Sequence, residues 1–105
     1  MNKNNFFLFF FIFVFLFNQQ TKSDSMFDMG KDIFLNKAVC STCHTLKDAG
    51  SNGQIGPNLN EIRPDKLRII NAVTNGIGVM PAYEGELTIQ EIESVAHYVS
   101  IAANE

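Results

Sequence analysis

The 105-residue chain has room for one domain, and the part that follows its N-terminal apolar run is only about 80 residues long. That is close to the size below which a core needs a disulfide, a metal or a bulky cofactor to sustain itself. From Met26 onward six Lys and Arg stand against ten Asp and Glu, so the domain lacks the basic face that nucleic acid demands.

The chain opens with Lys3, followed by uninterrupted apolar residues from Phe6 to Phe17 and a polar stretch from Asn18 to Ser25. This is the layout of an export signal. Eight of the ten Phe fall in that run, which as a helix would reach roughly 18 Å, well short of the roughly 30 Å hydrocarbon core. The expectation is a signal peptide over residues 1–25, with cleavage near Ser23 to Ser25. An uncleaved tether is the alternative, because no A-x-A pattern precedes that point. The folded domain is then 26–105, outside the cytoplasm.

Between Met26 and Val39, Phe27, Gly30, Ile33 and Phe34 recur at spacings of three and four, which predicts a helix with one apolar stripe. A glycine inside that stripe costs up to about 1 kcal/mol against alanine, and its presence there points to a close approach by another backbone or helix. Thr45 to Asn60 is rich in Gly, Ser, Asn, Asp and Pro without apolar period and reads as a loop. A second helix is expected from Pro64, with Leu67, Ile70 and Val73 on its buried face and Asn75-Gly76 closing it. Gly76 to Glu86 is irregular again. Thr88-Ile89-Gln90-Glu91 then reads as a capping box that opens a last helix, with Ile89, Ile92, Val95, Ala96 and Val99 on its apolar face. No alternating strand pattern of useful length is present, so the domain is expected to be all-α, three to five short helices.

The chemistry lies in Cys40-Ser41-Thr42-Cys43-His44, the C-x-x-C-H pattern of covalent haem attachment. Two thiols three positions apart on a turn can each form a thioether to one edge of a porphyrin, while the adjacent imidazole reaches the iron. Other readings fit less well. A redox dithiol needs a βαβ context, a zinc site needs four ligands where the chain offers two Cys and two His, and a bridge over three positions would be strained. A second axial ligand would tune the iron, and a Met thioether raises the potential relative to His. Met80 is the candidate, 36 residues beyond His44 in a Gly-flanked loop and directly before Pro81. A gap-filling core role is the plainer account of any Met. His97 is the rival ligand, but it lies within a helical apolar pattern where a packing or half-solvated histidine fits better.

The sequence resembles class I cytochromes c, and within them the small cytochrome c6 and c553-type carriers of photosynthetic thylakoids. The likeness covers nearly all of Met26 to Ile101. It rests on Gly30 and Phe34, the haem pentapeptide, Val73-Thr74-Asn75-Gly76, Val79-Met80-Pro81-Ala82-Tyr83, and the stretch from Glu91 to Val99. The resemblance implies that first and last helices cross at Gly30, with Phe34 and Tyr98 around the contact, and that Met80 is the sixth ligand. It also implies that the Pro57 carbonyl in Gly56-Pro57-Asn58-Leu59 accepts the hydrogen bond of the His44 imidazole, fixing its tautomer. The chain departs from many cytochromes c6 at Ala72, where they carry glutamine near the haem, and in the loop from Gly50 to Leu59.

The implied protein is a one-electron carrier, not an enzyme, with one covalent haem c on Cys40 and Cys43. His44 and Met80 are its metal ligands and Pro57 stands behind His44. As an exported monomer of the thylakoid lumen or periplasm it would take electrons from a cytochrome bc-type complex and pass them to photosystem I or a terminal oxidase. Asp65, Glu84, Glu86, Glu91 and Glu93 are candidates for an acidic docking surface, although a solvated helix face is the commoner account of such charges. The alternatives are an open-site haem enzyme or sensor, and a membrane-tethered subunit of an oxidoreductase.

Overall fold

The computed structural model describes residues 22–105, so the apolar run and most of the expected signal peptide lie outside the described residues. Helix α1 (Lys22–Asp32) runs into a wider π turn (Ile33–Lys37), and a 3₁₀ turn follows at Cys40–Thr42. A two-residue hairpin pairs β1 (Thr45–Leu46) with β2 (Ser51–Asn52), antiparallel, Thr45 opposite Asn52. Three helices complete the chain, α2 (Leu59–Ile62), α3 (Lys66–Asn75) and α4 (Ile89–Ala102). Among these no helix is long and apolar enough to cross a membrane.

The crossing of α1 and α4 is the centre of the fold. Gly30 is buried there, and a Cβ built on it would lie 2.1 Å from the Ser94 carbonyl oxygen and 2.6 Å from the Tyr98 Cβ. Phe27 and Phe34 meet the Tyr98 ring edge-on, with centroids 4.9 and 5.8 Å away. Such pairs add roughly 0.5–1.5 kcal/mol each beyond the area they bury. The stripe expected on the first helix is therefore the surface that packs on α4, as is most of the stripe on α4, where Ile92, Val95, Ala96 and Val99 are buried.

Element ends follow their side chains. Asp65 caps α3 by accepting from the Arg68 amide at 2.8 Å, and Gly76, in the left-handed region at φ 74°, ends it. Thr88 and Glu91 form the reciprocal capping box of α4. Several expectations need correction. The first helix begins at Lys22, four residues before Met26, and its second half widens into the π turn. The second helix starts at Lys66 because the Asp65 carboxylate, not Pro64, satisfies its free amides. Leu67 and Ile89 are 74% and 80% exposed. Ile69 and Val73, four apart, are the buried residues of α3. The segment read as one loop, Thr45 to Asn60, holds the hairpin and the first two residues of α2. Two-residue strands are too short for any alternation to show, and α2 is defined by a cap: Asn58 accepts from the amides of Asn60 and Glu61.

A polar cluster ties the hairpin to both long helices. Tyr98, fully buried, donates its hydroxyl to Asp48 at 2.7 Å, and Lys31 reaches the same carboxylate at 3.2 Å. The Tyr98 hydroxyl, and then Lys31, hold the Asp48 carboxyl below its usual range. Its stabilising effect is present above about pH 4, the unfolded value, and is lost as pH falls through the depressed folded one. Tyr98→Phe is expected to cost about 1–3 kcal/mol at neutral pH. The deficit should shrink on acidification below about pH 4, as denaturant titrations at both pH values would show. A deficit that does not change with pH would mean that Asp48 is not the group Tyr98 serves.

Candidate functional site

Local geometry explains how the pentapeptide presents its three reactive side chains. Val39 sits in the left-handed region at φ 54°, an unusual conformation for a β-branched residue, and turns the chain sharply into the 3₁₀ turn. Residues three apart eclipse in such a turn. The amides of Cys43 and His44 both bond to the Cys40 carbonyl, at 3.1 and 3.0 Å. Cys40 and Cys43 are thus brought close in a turn closed on itself, with His44 immediately after. Burial pushes the Cys40 thiol up to about 11, so it is a neutral thiol near pH 7 before any thioether forms.

The loop after the hairpin wraps around the imidazole. The Gly56 amide donates to the Cys43 carbonyl at 2.7 Å, and His44 Nδ1 lies 2.7 Å from the Pro57 carbonyl oxygen. That carbonyl can only accept, so Nδ1 carries the proton and Nε2 is left with its lone pair. Gly56 has no substitute here, because a Cβ would fall 2.5 Å from His44 Cε1.

A cavity of about 340 Å³ opens beside this loop, and Cys40, Cys43, His44, Pro57 and Met80 all line it. Its walls include Phe34, Leu59, Ile69, Val73, Val95 and Val99 from the core. The five residues expected at the site from sequence are brought together on one apolar cavity. His97 is not among its lining residues. It is half-buried on α4, and its Nε2 has no hydrogen-bond partner among the described residues. Ala72 does line the cavity, which accords with the position expected to lie near the haem.

Three features were not legible beforehand. Arg68 is the single charged side chain lining the cavity among the described residues. Tyr83 lines it as well and donates its hydroxyl to the Ala38 carbonyl at 3.0 Å, and burial raises its phenol above the usual range. The mouth carries exposed apolar side chains, Val39, Ile55, Ile77 and Val79 at 47, 70, 66 and 87% exposure. Of the acidic residues, Glu91 is engaged by Lys37 and by its own capping box, which holds its carboxyl below the usual range, and Asp65 caps α3. Glu84, Glu86 and Glu93 are exposed.

The donor set fits a covalent c-type haem: two thiols, an imidazole with its outer nitrogen fixed and its inner one free, a thioether, and an apolar cavity between them. Comparisons with known proteins agree. The family model described as cytochrome c oxidase, cbb3-type, subunit III, matches residues 26–99. Cytochrome c6 of Microcystis aeruginosa is 46% identical over 84 residues, 72% of this chain and 96% of that protein. Cytochrome c6 of Gracilaria tenuistipitata var. liui is 39% identical over 80 residues, 69% of this chain and 68% of that one. Among solved structures, the c-type cytochrome SorU from Sinorhizobium meliloti superposes with a TM-score of 0.74 at 50% identity, covering 78% of this chain and 95% of SorU. Fold, cavity and relatives lead to one assignment: the chain belongs to the class I c-type cytochromes, electron-transfer proteins that carry a single covalent haem c.

Proposed function

We propose that this cytochrome moves single electrons between a cytochrome bc-type complex and either a photosystem or a terminal oxidase, in the thylakoid lumen or periplasm, after export on residues 1–25. Cys40 and Cys43 tether the haem, His44 and Met80 ligate its iron, and Pro57 orients His44. The haem supplies the Fe(III)/Fe(II) couple. The chain keeps both ligands in place through the cycle and excludes water with its apolar walls. The observation that carries this reading is the 2.7 Å contact of His44 Nδ1 with the Pro57 carbonyl, which leaves Nε2 free as a ligand on the cavity that Met80 also lines. Partners would meet the exposed apolar mouth formed by Val39, Ile55, Ile77 and Val79, which borders the cavity. The names of the cytochrome c6 relatives support the photosynthetic branch, and the family model for an oxidase subunit supports the respiratory one.

The test is a redox titration with visible spectra of the exported protein, its intact mass locating the cleavage point. The oxidised form should show the charge-transfer band of sulfur ligation. Met80→Ala should abolish it and lower the potential by at least about 60 mV, tenfold in the one-electron equilibrium. A high-spin wild type that binds carbon monoxide or peroxide without any substitution would replace the carrier by an open-site haem protein.

A further inference from the structure

The loop from Gly76 to Leu87 must hold Met80 in one place, yet its own backbone is poorly suited to that task. It contains three glycines with positive φ, Gly76, Gly78 and Gly85. Its backbone hydrogen bonds are internal or return to the helix it leaves. Ile77 and Met80 exchange amide bonds at 3.2 and 2.9 Å, the Glu86 and Leu87 amides bond to the Tyr83 carbonyl, and the amides of Tyr83 and Glu84 reach Val73 and Thr74 of α3. None of these ties the loop to the segment bearing Cys40 and His44. Among the described residues one hydrogen bond does so, from the Tyr83 hydroxyl to the Ala38 carbonyl at 3.0 Å. Ala38 ends the π turn two residues before Cys40. Tyr83 is half-buried, packs against the core and lines the cavity.

We propose that Tyr83 is a positioning residue whose hydroxyl latches the Met80 loop to the haem-attachment segment, and that this latch sets how readily a small external ligand displaces Met80. The inference rests on Met80 being an iron ligand. An external ligand can bind only when the loop has moved away, so its rate follows the population of the open loop. The latch shifts that population by the net worth of one neutral hydrogen bond, about a fivefold factor. Tyr83→Phe keeps the ring and the cavity wall and removes only the hydroxyl.

The experiment is stopped-flow binding of cyanide to the oxidised holoprotein. Tyr83→Phe is expected to bind about fivefold faster than wild type, with the spectrum before mixing unchanged. Tyr98→Phe serves as the comparison, since it removes a buried hydroxyl bond, to Asp48, from a residue that does not line the cavity. Its cyanide rate should equal that of wild type. Equal acceleration in both variants would reduce the effect to general loosening and overturn the latch. So would an unchanged Tyr83→Phe rate in a protein that shows the sulfur band. Absence of that band from the wild type would instead overturn the assignment of Met80, and the latch with it.

Discussion

Gly30→Ala is expected to destabilise the folded holoprotein by at least about 3 kcal/mol, the upper end of the cost of overpacking. The added methyl would sit 2.1 Å from the Ser94 carbonyl oxygen, 2.7 Å from its carbon and 2.6 Å from the Tyr98 Cβ. Two of those atoms are backbone and the third is fixed to it, so no rotamer change relieves the clash. The helices must separate, and separation withdraws Phe27 and Phe34 from the Tyr98 ring. The gain in helix propensity from replacing glycine, about 1 kcal/mol, is too small to compensate. Denaturant unfolding of the purified holoprotein measures the loss. Asp28→Ala, an exposed change on the same helix, should stay within about 0.5 kcal/mol of wild type. A Gly30→Ala protein that is as stable as Asp28→Ala would show that α1 and α4 can slide apart at little cost, and that their close crossing is not what holds the domain.

Gly56→Ala acts on the site and not on the core. Gly56 is absent from the glycines with positive φ, so an alanine meets no backbone strain there. Its Cβ would instead press on the imidazole, 2.5 Å from Cε1, 2.8 Å from Nδ1 and 3.0 Å from Nε2 of His44. A free side chain would swing aside. His44 cannot do so without breaking its bond to the Pro57 carbonyl, and the adjoining Gly56 amide is itself held by the Cys43 carbonyl. The expected result is a protein that loses proximal ligation, with at least about tenfold less low-spin haem in its spectrum, an energy near 1.4 kcal/mol and well within the cost of overpacking. Gln54→Ala, two residues earlier and exposed, should have the wild-type spectrum. A Gly56→Ala protein with wild-type spectrum and potential would mean that His44 has room to shift, and that Pro57 does not fix it.

Much of this protein is legible locally. The pentapeptide states its chemistry because thioether attachment and iron ligation by one short peptide need those residue types at that spacing, wherever the peptide sits. The capping box at Thr88 and Glu91 and the glycine after Asn75 are readable for the same reason, since a helix end is satisfied by residues within one turn of it. The cap at Asp65 is equally local, since an Asp before a helix satisfies amides that a proline such as Pro64 cannot. The faces of the helices were only half readable. Periodicity names two or three possible stripes on a ten-residue helix such as α3, and it did not exclude Leu67, which the fold leaves in solvent.

Local chemistry is enough to read the all-α class, the haem-attachment pentapeptide and the close approach at Gly30, because each depends on neighbours in the chain or on a missing side chain. The Pro57 carbonyl behind His44 is implied by the family resemblance, whereas the press of Gly56 on the imidazole, the bond of the Tyr98 hydroxyl to Asp48 and that of Tyr83 to Ala38 emerge only on folding. Those contacts join residues 12 to 50 positions apart. Their partners are chosen by how the helices pack, and no local propensity encodes a hydrogen bond between segments that meet only after folding.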